Sequence, residues 1–506
     1  MAASFCRRSA MSWLSSAGAA GMGGWDMERA RSGPPILGGT PSIESPDPEA
    51  AHASQPLSLP HRVCPPDRCQ ALRPMLRSDT AMYGGAVFID RLLALLLLPL
   101  LTRAIGEADY GAWTQTLVVS SLLMPLVLFA LPTTIVRSFA PAALARLRWL
   151  AFGRLGGVVL ALFAVAALAG WAAREGVAEL AWGDDGRAVL LPGLLLVLAA
   201  DAGIEFANAW LRAAGRIGWI AWGLLARSAL RYAVVWALVA DGSRALQAWL
   251  PVYGVSQLAL AAALLILAAR VLQAEAQAPP AQPPAAEVPR MAELLSFSAP
   301  LVGLALFGAL NASFDRFLLV QALGLEAVAT YAAAVSLSAV PAVFYSVLGF
   351  TLFPVLARAW HGQRRDEAAR LTGQALAVFV GLALPVGLAL AVAGPWLLPW
   401  LTTASYQAPW PVFAGQAVAV LAFGIYQVLL YTLLLDGRSL QVLGMAMVAA
   451  ALNAVANLWL LPRFGMSGAA AAAALANLAV MGWAWQAAGR VLGRVPAPWR
   501  WRSSLG

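Results

Sequence analysis

Apolar residues dominate the chain from residue 82 onward, broken only by short stretches of glycine, proline and arginine. A membrane helix needs about 20 mostly apolar residues to cross ~30 Å of hydrocarbon. Runs of that kind lie near 82–104, 112–136, 155–172, 188–211, 218–240 and 249–271. A second set follows near 294–322, 327–357, 372–393, 410–435, 439–461 and 467–489. The pattern predicts an all-α membrane protein with twelve transmembrane helices. Residues 273–290, rich in proline and alanine, read as a semi-extended linker between two six-helix lobes, 81–272 and 291–490.

The ends differ from the middle. Residues 1–80 hold Pro, Ser, Gly and Arg without a sustained apolar run, which predicts a disordered cytoplasmic segment. No signal-peptide core follows Arg7 and Arg8, and the break in composition also fits a start of synthesis at Met75 or Met82. At 491–506 the tail is basic and aromatic, and Trp499, Arg500, Trp501 and Arg502 read as an interfacial anchor.

The two sets of spans read as copies of each other. At an offset of 221, Tyr110 falls on Tyr331 and Arg137 on Arg358. At 222, Gly215 and Arg216 fall on Gly437 and Arg438. An even number of spans per copy keeps the orientation, so these are parallel repeats about an axis along the membrane normal.

Composition narrows the chemistry. Only 12% of residues are charged and 60% are hydrophobic, against about 25% charged in an average soluble domain. All 34 cationic side chains are arginine. Without lysine there is no Schiff base and no P-loop lysine, so PLP chemistry and Walker-type ATP hydrolysis are excluded. Three histidines (His52, His61, His361) and three cysteines (Cys6, Cys64, Cys69) leave little for metal sites or disulfides, and no cofactor or metal is expected.

Arginine placement sets an orientation. With the N-terminus inside, 25 arginines fall on cytoplasmic segments and five (Arg103, Arg174, Arg187, Arg244, Arg463) on outer loops. The positive-inside rule then puts both termini in the cytoplasm, and the net charge of +9 needs no nucleic-acid partner.

Three stretches resemble a known family. They are Leu101 to Gly111 (LTRAIGEADYG), Phe314 to Tyr331 (FDRFLLVQALGLEAVATY) and Leu452 to Ala470 (LNAVANLWLLPRFGMSGAA). In this order and on these helices they resemble the polysaccharide-biosynthesis membrane proteins, the O-antigen and exopolysaccharide flippases. That family shares a superfamily with multidrug and toxin extrusion transporters. The resemblance covers roughly residues 79–490. It implies a two-lobed, V-shaped transporter, a monomer of the bacterial inner membrane. The implied activity is moving an undecaprenyl-pyrophosphate-linked oligosaccharide between leaflets.

Charges inside the spans are the informative residues apart from any family. Arg91, Arg227, Arg231 and Arg316 lie within predicted helices, beside Asp90, Asp201, Glu205 and Asp315. An arginine at a helix centre costs about 2.5–3.5 kcal/mol to insert, so most of these should face a shared interior. Glu205 and Arg227 each lie 11 residues from Arg216, and Asp201 and Arg231 each lie 15 from it. If the fourth and fifth helices are adjacent and antiparallel, Glu205–Arg227 and Asp201–Arg231 become two rungs of an ion-pair ladder.

Three readings stay open. The ladder neutralises charge and locks two helices; or the arginines leave a positive cavity for a pyrophosphate head group, which a guanidinium grips bidentately. Alternatively, Asp201 and Glu205, with Asp90 and Asp315, hold a coupling proton or Na⁺. Asp315 sits nearer the outer end, where it has the option of snorkelling to water. Asn453 and Asn457 share a helix face and suit either glycan contact or interhelical hydrogen bonding. A multidrug exporter predicts a mostly apolar cavity with a few acids. A membrane polymerase or ligase needs a large outer loop, whereas the longest here, near 173–187, is short and lacks histidine.

Overall fold

The computed structural model describes residues 66–139, 145–242, 245–277 and 290–493. Most of the N-terminal segment, the linker positions 278–289 and the anchor at 499–502 lie outside the described residues. The first lobe is built from α1 (Pro66–Ala104), α2 (Glu107–Leu128), α3 (Leu131–Phe139), α4 (Ala145–Ala172), α5 (Arg174–Trp182), α6 (Leu191–Ala213), α7 (Ile217–Ala240) and α8 (Leu246–Gln277). The second is built from α9 (Met291–Ser338), α10 (Ala342–His361), α11 (Arg365–Leu401), α12 (Trp410–Leu435), α13 (Ser439–Phe464) and α14 (Met466–Leu492).

Among the described residues, eleven helical segments are long and apolar enough to cross a membrane. One of them, α9, has 48 residues, about 72 Å of helix and more than two bilayer cores. Gly324, at φ 80 and ψ 178, divides it. A positive φ costs glycine nothing, so the chain can turn there between the seventh crossing and the eighth. The portion after Gly324 continues through α10 as the eighth, which makes twelve crossings.

Two expected spans are broken where proline dictates. The run expected at 112–136 is α2 followed by α3, separated by Phe129 and Ala130 at φ 48 and 51. A proline ring clashes with the carbonyl four residues back. Counting back from Pro132 reaches Leu128, the last residue of α2. Pro341 likewise counts back to Leu337, one residue before the end of α9. Pro125 and Pro385 remain inside continuous helices. The N-terminal expectation is corrected too: α1 begins at Pro66, so residues 66–80 are helical. Proline suits a first helical position, where the missing N–H would have had no partner.

Packing repeats with the sequence. In the first lobe α1 lies along α7, α6 along α8, and α2 against α6. In the second, α9 lies along α13, α12 along α14, and α10 against α12. The fold is thus a duplicated six-helix unit in two parallel copies. Exposed tryptophans lie at both ends of the bundle: Trp149, Trp219 and Trp222 of the first lobe toward the end where the chain enters and leaves, and Trp171, Trp236, Trp396, Trp400, Trp410 and Trp459 at the opposite end. Such belts sit at headgroup level and frame the lipid-facing band.

The core is continuous across the lobes at the far end, opposite the chain termini. There a single apolar cluster runs from Leu97, Trp113 and Trp249 of the first lobe to Val328, Phe413 and Ala469 of the second. At the tail end each lobe has its own cluster, around Trp210 in the first and Leu429 in the second. The start of α9 bridges there, through a 2.5 Å hydrogen bond between the Thr134 and Ser298 hydroxyls and the Arg137 guanidinium 4.0 Å over the Phe297 ring. The lobes are therefore fused at the far end and largely separate at the tail end.

Candidate functional site

Polar groups gather at mid-depth in the first lobe because five helices each carry one or two. Arg227 of α7 is buried and forms an ion pair with Asp201 of α6. Asp201 also accepts a 3.3 Å bond from the Ser120 hydroxyl of α2. One residue along α7, the Ser228 hydroxyl donates to Asp90 of α1. The carboxylates of Glu205 and Asp90 lie close enough to act electrostatically on Arg227.

This pairing corrects the expected ladder by one rung: Asp201 meets Arg227, and Arg231 takes no part in that pair. Equal counting from Arg216 requires α6 and α7 to lie side by side. Instead α7 packs along α1 and touches α6 only lightly, so its register is set by another partner.

Arg231 is the more telling residue of α7. Exposed positions Trp219, Trp222, Ala226, Ala229, Ala233 and Trp236 follow one another every three or four residues and mark the lipid face. The opposite stripe runs Ile220, Arg227, Arg231, Val235. Ile220, Arg227 and Val235 are buried, yet Arg231 between them is half-exposed. A half-open residue at the centre of a buried stripe faces an interior opening, not lipid. Arg91 of α1 is half-exposed as well, next to buried Asp90 and off the lipid stripe of Phe88, Ile89, Leu92 and Leu96. Along α9, every residue from 301 to 312 is partly open, as in a helix that edges a space on one side.

The fourth arginine is elsewhere. Arg316 of α9 lies eight residues before Gly324, about 12 Å from that turn, and is 2% exposed within the far-end core. Its neighbour Asp315 does not snorkel. It is buried, accepting a 2.7 Å bond from the Tyr331 hydroxyl and a 2.9 Å bond from the Arg316 amide. The Gln416 amide of α12 in turn donates to the Tyr331 oxygen at 2.9 Å. The structure thus brings Arg227, Asp201, Asp90 and Glu205 into one cluster and leaves Arg316 and Asp315 in a second, nearer the far end.

Asn453 and Asn457 of α13 are buried. The Asn453 amide donates to the Asn311 carbonyl of α9 at 2.7 Å, and the Asn457 amide donates to the Asn453 side chain at 2.8 Å. Ser120, Ser228, Tyr331 and Gln416 carry no charge and went unsingled in the sequence; only Tyr331 left a trace, as the repeat match of Tyr110. No group of three metal-ligating side chains occurs among the described residues.

A duplicated bundle of twelve membrane helices, fused at one end and carrying ionisable groups at mid-depth, defines a multi-pass membrane protein. Residues 76–360, more than half of the chain, match the family described as polysaccharide biosynthesis protein, and the chain belongs to that family. Solved structures agree on the fold. A lipid II flippase, MurJ, in an inward closed conformation aligns with a TM-score of 0.60 at 10% identity, over 82% of this chain and 90% of that one. The Vibrio cholerae MATE transporter VcmN in its bent form aligns at 0.54 and 17% identity, over 84% of this chain and 98% of that one. An inward-facing MATE-family multidrug resistance transporter of the MOP superfamily aligns at 0.58 and 13% identity, over 80% and 94%. No curated protein sequence matches.

Proposed function

We propose that this chain is a flippase that carries a lipid-linked oligosaccharide, of the undecaprenyl-pyrophosphate type, across the bacterial inner membrane for polysaccharide biosynthesis. Family membership supports the glycan class. The observation that carries the reading is the half-open Arg231 on the interior face of α7, with Arg91 on the helix beside it. A guanidinium stays charged at any working pH and presents paired donors to phosphate oxygens. Arg227, paired with Asp201, positions this surface and adds little net charge to it.

Tail-end arginines outnumber far-end ones, which supports a cytoplasmic tail end. Lobes joined at the far end and parted at the tail end then give an inward-facing state, open to receive a head group from the cytoplasmic leaflet. The protein acts as a transporter, not as an enzyme, and as a monomer. Asp90, Asp201 and Glu205 supply the carboxylates through which a proton or Na⁺ would couple transport to a gradient. The same acids, with the MATE-like fold, favour a cation-coupled multidrug exporter as the second reading.

Transport of an undecaprenyl-pyrophosphate glycan in proteoliposomes decides between the two. Arg231→Ala should lose most transport while inserting normally, and a cationic drug should not be moved by the unaltered protein. Full transport in Arg91→Ala and Arg231→Ala alike would falsify the flippase reading.

A further inference from the structure

Arg316 poses a problem that the inward-facing state does not solve. It is almost wholly buried, and its Nη1 has no hydrogen-bond partner among the described residues. The adjacent acid is already engaged with Tyr331 and with the backbone. Leaving a buried guanidinium incompletely partnered is strongly disfavoured, and in a membrane protein such a residue points to function. Its charge acts on Tyr110 of the first lobe as well as on Asp315 and Tyr331 of its own, so it stands at the junction of the lobes.

Contacts between the lobes close over this junction. Arg103, at the end of α1, donates from Nε to the Thr402 carbonyl and from Nη2 to the Trp400 carbonyl, each at 3.0 Å. Those carbonyls belong to the C-terminus of α11, the negative end of its dipole. Gln321, one and a half turns beyond Arg316, donates to the Glu179 carbonyl near the end of α5 at 2.8 Å. Tyr110 and Tyr406 meet edge-on at 6.0 Å. Gly111 approaches so closely that a Cβ on it would lie 2.1 Å from the Leu325 carbonyl oxygen. Each of these contacts joins one lobe to the other at the far end.

We propose that Arg316 is a second anion-binding station, shut in this conformation by the Arg103–α11 and Gln321–α5 clasp and uncovered only when the far ends of the lobes part. Arg91 and Arg231 serve the inward-facing state; Arg316 serves the opposite one. A pyrophosphate-type anion that gains Arg316 only after opening stabilises the open state, and opening raises the affinity for the anion by the same factor. The pyrophosphate assignment rests on the flippase reading, whereas the sealing and the unsatisfied guanidinium do not.

The test uses the full chain in nanodiscs, with phenylglyoxal as an arginine reagent and peptide mass spectrometry to read Arg316. Val320→Cys, labelled with an impermeant maleimide, reports opening of the junction. With the clasp intact, both sites should react slowly. In Arg103→Ala/Gln321→Ala, both reactions should accelerate by about tenfold, and inorganic pyrophosphate should slow the modification of Arg316. Gly111→Leu, which pries the same junction by volume, gives the same result if the double variant fails to fold. The proposal is overturned if Val320→Cys opens while Arg316 stays inert, or if Arg316 reacts without protection by pyrophosphate. It is equally overturned if neither variant opens the junction. Absence of glycan transport by the unaltered protein, with pyrophosphate protection of Arg316 intact in the opened variants, would count against the flippase reading alone.

Discussion

Two aspartate–arginine sites lie in the same membrane and solve opposite problems. Asp201 and Arg227 are 26 residues apart and form an ion pair across two helices. Asp315 and Arg316 are neighbours in sequence, yet the carboxylate turns to Tyr331 and the guanidinium keeps an unsatisfied Nη1. Successive residues on a helix diverge by about 100°, so adjacency along the chain separates side chains that a turn or a neighbouring helix would bring together. Each guanidinium keeps one unpartnered nitrogen among the described residues, Nε on Arg227 and Nη1 on Arg316, and the difference is that the first arginine closes a direct ion pair while the second leaves its acid to Tyr331.

Breaking the first site should give the largest effect. Asp201→Ala strands Arg227 without its ion-pair partner, a loss of about 3–5 kcal/mol for a buried pair deprived of one member. Thermal unfolding in detergent should show a sharply lowered midpoint, and Asp201→Ala/Arg227→Met should recover most of it. A double variant as unstable as the single one would mean that the acid acts through Ser120, not through the arginine.

In the second site, Tyr331→Phe removes the donor to Asp315 and the acceptor for Gln416. A hydrogen bond to a charged group contributes about 1.5–3 kcal/mol. The freed carboxylate can then turn to Arg316, so stability should fall moderately while Arg316 loses its reactivity in variants opened at the far end. Retained reactivity would show that Asp315 never competes for the guanidinium.

Gly111 sharpens the contrast between the two ends of the bundle. Gly111→Ala places a methyl group against the Leu325 backbone, and overpacking of this kind costs about 1–3 kcal/mol. Parting of the lobes at the far end relieves it. The expected outcome is therefore a shift toward the open state, read as faster labelling of Val320→Cys with little change in helix content. Equal labelling would mean that α2 yields within its own lobe.

The sequence revealed the helices because apolar runs of membrane length have few alternatives, and it revealed the duplication through Tyr110, Arg137 and Gly215 with their repeat partners. Pro132 marked a kink in its span but not the exact break at Phe129 and Ala130, since a proline acts on a carbonyl four residues away and not on its own position. Arg227 and Asp201 were identifiable as buried charges, but their pairing was not. Counting along two helices fixes relative depth only if those helices pack together, and α7 takes its register from α1. Tyr331 and Gln416 were invisible because neutral side chains leave no anomaly in an apolar helix until a charged partner is placed beside them.

The asparagines of α13 offer the smallest and most discriminating test. Asn453 and Asn457 are 1% and 0% exposed, so a sugar would have to enter a contact that α9 already fills through the Asn311 carbonyl. Interhelical hydrogen bonds in membranes average about 0.6 kcal/mol. Asn453→Ala should therefore lower the unfolding midpoint only slightly and leave the concentration dependence of glycan transport unchanged. A glycan contact predicts the reverse: normal stability with weakened apparent substrate affinity. The two outcomes separate because glue between helices acts equally on every transport state, whereas a sugar ligand acts only when substrate is present.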